Sequence, residues 1–331
     1  MHLKILIAGL GSIGRRHLRN LLTLGERDII LYRTHQSTLP DDELDPFVTE
    51  TNLDAALAHQ PDAVIVANPT ALHLEVAIPA AKAGCHMLIE KPIAAVLDEE
   101  VEELQRVVHQ SGVRVLVGFQ FRFHPTLAQI QSILVSGKLG RPYSFRAHWG
   151  EYLPEFHPWE DYRQSYAARK ELGGGVVNTL SHPFDYMRWL LGEIRVVTAL
   201  TAQVSTLELS VEDVAEIMLR FDNDALGSVH LDYFQRPKSH ILEIICERGQ
   251  IRWIDESGKA EIYYAESDHW DKFEPPAGFD RNQMFLEEMQ HFIDLVKGET
   301  ESRCSLNDGI KAMALTTAVH QSARNKAVVK L

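Results

Sequence analysis

The chain has 331 residues, 45% of them apolar and 24% charged, and a net charge of −13. These proportions exclude a disordered chain, a collagen and a small disulfide-stapled scaffold, and the length suits about two domains. The acidic balance, without a Lys/Arg-rich run, argues against a nucleic-acid partner, because phosphate neutralisation supplies most of that affinity. Leu3–Ala8 is a short apolar run with strand character, followed by Gly9-Leu10-Gly11-Ser12-Ile13-Gly14 and then by helical spacing from Arg15 to Leu22. Strand, glycine turn and helix in this order are the context of a dinucleotide-binding fingerprint, in which backbone N–H groups and a helix N-terminus face the pyrophosphate. Asp28–Tyr32 reads as the second strand. A helix over Asn52–His59, a strand over Asp62–Ala67 and a helix over Leu74–Ala83 closing at Gly84 come next. His86–Ile89 (strand), Asp98–Gln110 (helix) and Arg114–Gly118 (strand) complete the alternation. Continuous apolar strands alternating with helices predict a parallel sheet covered on both faces, a nucleotide-binding domain over residues 1–120.

The pattern then changes. A helix is predicted at Pro125–Ser136, then strands at Tyr143–Gly150, Val196–Val204, Glu212–Phe221, Ala225–Tyr233, His240–Cys246, Gln250–Asp255 and Lys259–Tyr264. Turn signals such as Asp222-Asn223-Asp224 and Glu256-Ser257-Gly258 separate some of them. Helices at Gln283–Lys297 and Leu306–Asn325 end the chain. Residues 121–331 therefore read as a second, α+β domain with a largely antiparallel sheet. The fold class is α/β with that second domain appended. No run of about 18 apolar residues occurs, so no membrane partner is expected. With the first strand starting at Leu3, no secretory leader is expected, and the expected location is cytoplasmic. Cys85, Cys246 and Cys304 are widely spaced and none belongs to a C-x-x-C pair, which argues against a disulfide framework or a structural zinc site. The sixteen histidines include no H-E-x-x-H or comparable cluster, so no metal is expected.

The second strand ends Leu31-Tyr32-Arg33-Thr34-His35, without the acid that would hydrogen-bond a ribose 2′-hydroxyl. Arg33 with Thr34 suits a 2′-phosphate instead, which leans the cofactor toward NADP and leaves NAD open.

Several motifs in order resemble the glucose–fructose oxidoreductase/inositol dehydrogenase family (Gfo/Idh/MocA). They are Gly9–Gly14 with His17, Asn68-Pro69-Thr70-Ala71-Leu72-His73, Glu90-Lys91-Pro92, the linker-like Gly118-Phe119-Gln120-Phe121-Arg122-Phe123, and Gly173-Gly174-Gly175 followed by Asn178, His182 and Asp185. The resemblance spans nearly the whole chain. It implies an N-terminal Rossmann domain, a C-terminal α+β domain with an open sheet, a sugar, inositol or nucleotide-sugar substrate, and a homodimer or homotetramer formed through that sheet. It places the cofactor against Gly9, Gly11, Ser12, Ile13, Gly14, Arg33, Thr34, Asn68, Pro69, His73, Glu90 and Lys91. Substrate contacts are expected from Gln120, Arg122, Trp149, Arg163, Tyr166, Arg169 and Asp185. Lys91 and His182 form the implied catalytic pair. Hydride transfer at a secondary alcohol needs a group to take the hydroxyl proton and a donor to steady the alkoxide, and imidazole and ammonium suit these roles.

Asn178 departs from the family, which commonly carries Asp four residues before the histidine, on the same face of a helix. An amide there can position the ring or bind a substrate hydroxyl, but it stabilises an imidazolium less. Asp185 either assists His182 or is a helix-surface or capping acid. His17 and His73 are expected to pack or hydrogen-bond within helices, and Pro92 to follow a cis peptide. Trp149, Trp159 and Tyr162 offer a sugar-stacking surface or core aromatics. The segment from His157 to Lys170 gathers Arg163, Arg169 and Lys170, which suggests an anionic group on the substrate. It resembles family members tied to nonulosonic or nucleotide-activated sugars. Two alternatives stand beside a dehydrogenase: a non-catalytic dinucleotide-binding regulator, and a redox-neutral enzyme that uses bound NAD transiently.

Overall fold

The computed structural model describes residues 3–34 and 40–331. Strands β1 (Ile5–Ala8), β2 (Ile29–Tyr32), β3 (Val48–Glu50), β4 (Ala63–Val66), β5 (His86–Ile89) and β6 (Val115–Val117) alternate with helices α1 (Ser12–Thr23), α2 (Leu53–Ala58), α3 (His73–Lys82) and α4 (Glu99–Ser111). The strands form one parallel sheet in the order β3-β2-β1-β4-β5-β6. That order is the doubly wound nucleotide-binding topology, with β1 and β4 in the middle. All four residues of each of these two strands are buried, as covering on both faces requires. Helix ends follow local chemistry. Asn52 accepts the Ala55 N–H at the start of α2, and Asp98 accepts the Glu100 N–H at the start of α4. Gly112, at φ +69°, closes α4 in the left-handed conformation. The sequence missed β3, a three-residue edge strand whose residues are at best half-buried.

The second sheet comprises β7 (Pro142–Gly150), β8 (Ile194–Ala202), β9 (Val214–Phe221), β10 (Leu226–Asp232), β11 (Ser239–Cys246), β12 (Gly249–Ile254), β13 (Lys259–Tyr264), β14 (His269–Phe273) and β15 (Val329–Lys330). Its order is β14-β13-β12-β11-β7-β10-β9-β8-β15, and every described pairing is antiparallel except β7 with β10. Strands alternate strictly: Phe145, Ala147 and Trp149 of β7 are buried, while Ser144, Arg146 and His148 face the other way. Helices α5 (Pro125–Val135), α6 (Val176–Thr179) and α7 (His182–Leu191) pack with this sheet or with one another. The chain then runs through α8 (Arg281–Lys297) and α9 (Leu306–Asn325). The sequence reading implied one helix across Asn178 and His182, where the structure has the separate α6 and α7, and it missed β14 and β15. No helix among the described residues is long and apolar enough to cross a membrane.

The two compact units are not the two expected segments. Residues 1–120 join 280–313, and residues 121–279 join 314–331. An expected second domain of 121–331 therefore gives up 280–313. The reason is burial: Met289, Phe292, Ile293 and Leu295 of α8, with Cys304 and Leu306, belong to the same apolar core as β1, β4 and β5. The Val117 N–H donates to the Cys304 carbonyl, and Arg114 donates to the carbonyls of Leu295 and Val296.

Candidate functional site

In the first unit the site begins at the turn from β1 to α1. Gly9 sits at φ +94°, and a Cβ there would fall 2.4 Å from the Asn68 nitrogen. A Cβ on Gly14 would fall 1.9 Å from the Gly9 carbonyl oxygen, whereas one on Gly11 would meet nothing within 4 Å. The three glycines thus do three jobs: a tight turn, an open approach for a phosphate, and close packing of helix on strand. No side chain caps α1, and its first turn, which includes Ser12 and Ile13, holds no acid. Its free N–H groups and the helix dipole suit an anion. These residues fit a dinucleotide cofactor.

At the end of β2, buried Arg33 donates to Asp41 at 2.8 Å, and its hydrogen bond holds the exposed Asp41 carboxyl below its ordinary value. Thr34 is exposed. Arg15 and Arg19 both bind Glu43. The loop after β4 lies against the glycine turn: Pro69 is exposed, and Asn68 Nδ2 donates to the Leu72 carbonyl at 2.8 Å. His73 is fully enclosed, with its ring nitrogens 3.2 Å from the Ile93 oxygen and 2.9 Å from the Asn68 oxygen. Burial pulls its pKa down. His73 therefore shapes the loop and does not reach a ligand, which corrects its expected cofactor contact.

Glu90 follows β5 and is buried beside Gly118, where a Cβ would come within 3.1 Å of its Oε2. His17 Nε2 lies 2.8 Å from Glu90 Oε1. Burial pushes the Glu90 carboxyl up, but the His17 hydrogen bond and the charges of His17, Lys91 and His73 outweigh it and leave its pKa lowered. Glu90 thus ties His17 of α1 to the corner that carries Lys91. Lys91 is half-buried, and its peptide to Pro92 is cis. Gln120, the last residue of this segment, is buried.

In the second unit, Asn178 and His182 do not share a helix. Asn178 belongs to the four-residue α6, Leu180 leaves helical geometry, and His182 is the first residue of α7. The expected stacking of the two on one helix face is corrected. Asn178 instead donates through Nδ2 to the Gly173 carbonyl at 3.2 Å. His182 is buried beside Phe121 (centroids 5.0 Å apart) and Trp149 (5.5 Å). Trp149 also stacks on His240 at 4.2 Å and 7°. Enclosed between imidazoles and only 4% exposed, Trp149 presents no face for a sugar. Tyr186 Oη lies 3.1 Å from His240 Nε2, and burial, reinforced by the Asp255 charge, keeps the phenol protonated.

Arg122 and Asp185, both expected to touch substrate, satisfy each other. The guanidinium forks onto the carboxylate at 2.9 and 2.7 Å, and both residues are buried. In the basic segment, Arg163 is held by Asp161 and Glu208 and Arg169 by Glu171, while Lys170 is exposed. Tyr166 is half-buried and its carbonyl is packed against Gly174, while Trp159 is exposed. His240 is not among the expected site residues, although the inward phase of β11 points to it. Gly118 is expected only as part of the linker-like motif, and nothing local marks its contact with Glu90.

Residues 3–119 match the model of an oxidoreductase family with an NAD-binding Rossmann fold, and residues 127–252 match the GFO/IDH/MocA C-terminal domain. Fold, glycine turn and the Glu90-Lys91-Pro92 corner define an NAD-binding oxidoreductase. The chain belongs to the GFO/IDH/MocA family, as the order of its motifs implies. It is 27% identical to the myo-inositol 2-dehydrogenase of Thermotoga maritima, over 99% of this chain and 98% of that one. Among solved structures it is similar to a levoglucosan dehydrogenase in complex with NADH and levoglucosan, with TM-score 0.86 and 21% identity over 100% and 99% of the two chains. It is also similar to the WlbA dehydrogenase of Bordetella pertussis in complex with NADH and UDP-GlcNAcA, with TM-score 0.83 and 25% identity over 100% and 98%.

Proposed function

We propose that the protein is an NAD-dependent dehydrogenase interconverting a secondary alcohol and a ketone on a neutral sugar or inositol-like polyol. One juxtaposition carries the reading. Lys91 follows β5 and Gly9–Gly14 follows β1, at the same carboxyl edge of one parallel sheet. That edge is where open α/β sheets bind their ligands. The myo-inositol and levoglucosan dehydrogenases among its relatives support a polyol substrate. A neutral substrate is favoured because Arg163 and Arg169 already have carboxylate partners.

A bound nicotinamide supplies the hydride acceptor. The Lys91 ammonium would donate to the substrate oxygen and steady its developing charge, and the role that the motifs imply for His182 would be to take the hydroxyl proton. Asn178 acts at one remove, holding the glycine segment ahead of His182. In Lys91→Ala, NADH fluorescence titration should show near-normal binding, while kcat with the best substrate of a polyol panel falls by about 10²–10⁴. Undiminished turnover would sink the assigned role. Stoichiometric NADH binding without turnover of any polyol by the unaltered protein would favour the regulatory reading.

We infer NAD over the NADP that the strand-end sequence suggests, because Asp41 pairs with one nitrogen of the Arg33 guanidinium and its carboxylate would repel a 2′-phosphate. Asp41→Ala should raise kcat/KM for NADP relative to NAD by about tenfold, equivalent to ~1.4 kcal/mol. An unchanged ratio would remove Asp41 from cofactor choice.

A further inference from the structure

The face of the second sheet turned away from Trp149 carries a group of side chains that the reaction does not use. His148 of β7 and His230 of β10 are direct partners in that sheet's parallel pair. This register lays one imidazole on the other, with centroids 4.5 Å apart and planes 8° from parallel. Asp232, two residues beyond His230 and on the same face, brings Oδ2 to 3.0 Å from His230 Nε2. One ligand atom from each of His148, His230 and Asp232 lies within 4.8 Å of the other two. Gln235 Oε1 lies 2.6 Å from His148 Nε2.

We propose that His148, His230 and Asp232 bind a divalent transition-metal ion of the zinc class, with Gln235 or water as the fourth ligand. Two imidazoles and one carboxylate match the donor preferences of such ions, and rotamer-scale movements would bring the atoms to bonding distances of ~2.0–2.2 Å. The surroundings are built as metal sites are built. Glu216 Oε1 lies 2.6 Å from His230 Nδ1, the outer carboxylate that fixes a ligating ring and raises its basicity. Asp232 is buried, and its Oδ1 accepts the N–H groups of Phe234 and Gln235 at 2.9 and 2.7 Å, which aims Oδ2 at the histidines. Gly150 keeps the centre clear: a Cβ there would fall 2.2 Å from Gln235 Oε1 and 2.3 Å from Asp232 Oδ2. No spacing motif announces the site, because strand pairing alone unites positions 148 and 230. Alternation along β7 puts His148 and Trp149 on opposite faces, so the ion sits across the sheet from His182. Its work is to tie β7 to β10, a parallel pair that no hairpin joins.

Protein stripped with EDTA and dialysed should take up one equivalent of Co²⁺ per chain, with a tetrahedral d–d absorption band that Zn²⁺ displaces. His148→Ala and His230→Ala should each weaken Co²⁺ binding by about 100-fold or more, and Glu216→Gln, which keeps all three ligands, by about 10–100-fold. Glu216→Gln should leave NADH binding and turnover unchanged, separating this site from the reaction. Should either histidine variant fail to fold, the wild-type band and the Glu216→Gln affinity decide. A wild-type protein without a stoichiometric band overturns the proposal and leaves a hydrogen-bonded histidine pair. So does Co²⁺ affinity unchanged in Glu216→Gln, or equal in His230→Ala and wild type.

Discussion

A single methyl group separates the roles of the glycines in the first turn. At Gly14 it would collide with a backbone carbonyl, so the fold itself forbids it. At Gly11 it would meet no protein atom, so only a ligand can require its absence. Gly14→Ala should therefore lower stability by about 1–3 kcal/mol, the range for an overpacked site. Gly11→Ala should leave the denaturation midpoint near wild type, within ~0.5 kcal/mol. It should nevertheless weaken NADH binding by about tenfold, because its Cβ stands where the pyrophosphate approaches. Denaturant melts and NADH titrations of the two variants check this, and equal losses of binding and stability in Gly11→Ala would contradict it. The same distinction explains what the motif conveyed. Residue identity gave the turn its meaning, but Glu90 against Gly118 is a contact between distant positions that no local pattern encodes.

At the scale of elements, α7 is the piece that carries His182, and its placement rests on charge. Asp185, one turn into the helix, is forked by Arg122 from the short 3₁₀ turn Gln120–Phe123, with both side chains out of water. Breaking such a pair leaves an uncompensated buried charge, so Asp185→Ala should cost ~3–5 kcal/mol. Replacing both partners, with Arg122→Met and Asp185→Leu, should recover most of that loss, because two desolvated charges are exchanged for packed apolar volume. Denaturant unfolding checks both, and a double variant no better than the single would show that the pair acts otherwise. The strands and the long helices were legible because burial on one or two faces imposes a period on the sequence. The region 157–191 was not, because its short 3₁₀ turns and the break at Leu180 arise from capping and tertiary contacts. Spacing alone put Asn178 and His182 on one helix face, and the backbone between them turned out not to be helical throughout.

For the whole molecule, the informative fact is that the first unit is completed by residues 280–313. Chain order hid this, since α8 follows the second sheet in sequence. The return brings Glu288 into the core with no hydrogen-bond partner for either oxygen among the described residues, and no exposed surface. Burial, reinforced by the charge of Glu90, raises its pKa well above the ordinary 4.5. The native chain thus keeps this proton at pH values where the unfolded chain has released it. Unfolding then loses a proton, and stability must fall as pH rises from about 5 toward the raised native value. The slope contributed by one such group reaches about 1.4 kcal/mol per pH unit. Glu288→Gln keeps the shape and removes the titration, and Glu288→Met also removes the buried polar head. Urea melts between pH 5 and 8 should show the wild-type midpoint declining relative to both variants. Glu288→Met should gain most at pH 8, because there the charged form would otherwise have to be buried or the proton held against the solvent. Parallel midpoints for all three proteins across that range would mean that Glu288 is solvated or paired in the folded chain, and the account of how α8 closes the first core would have to change with it.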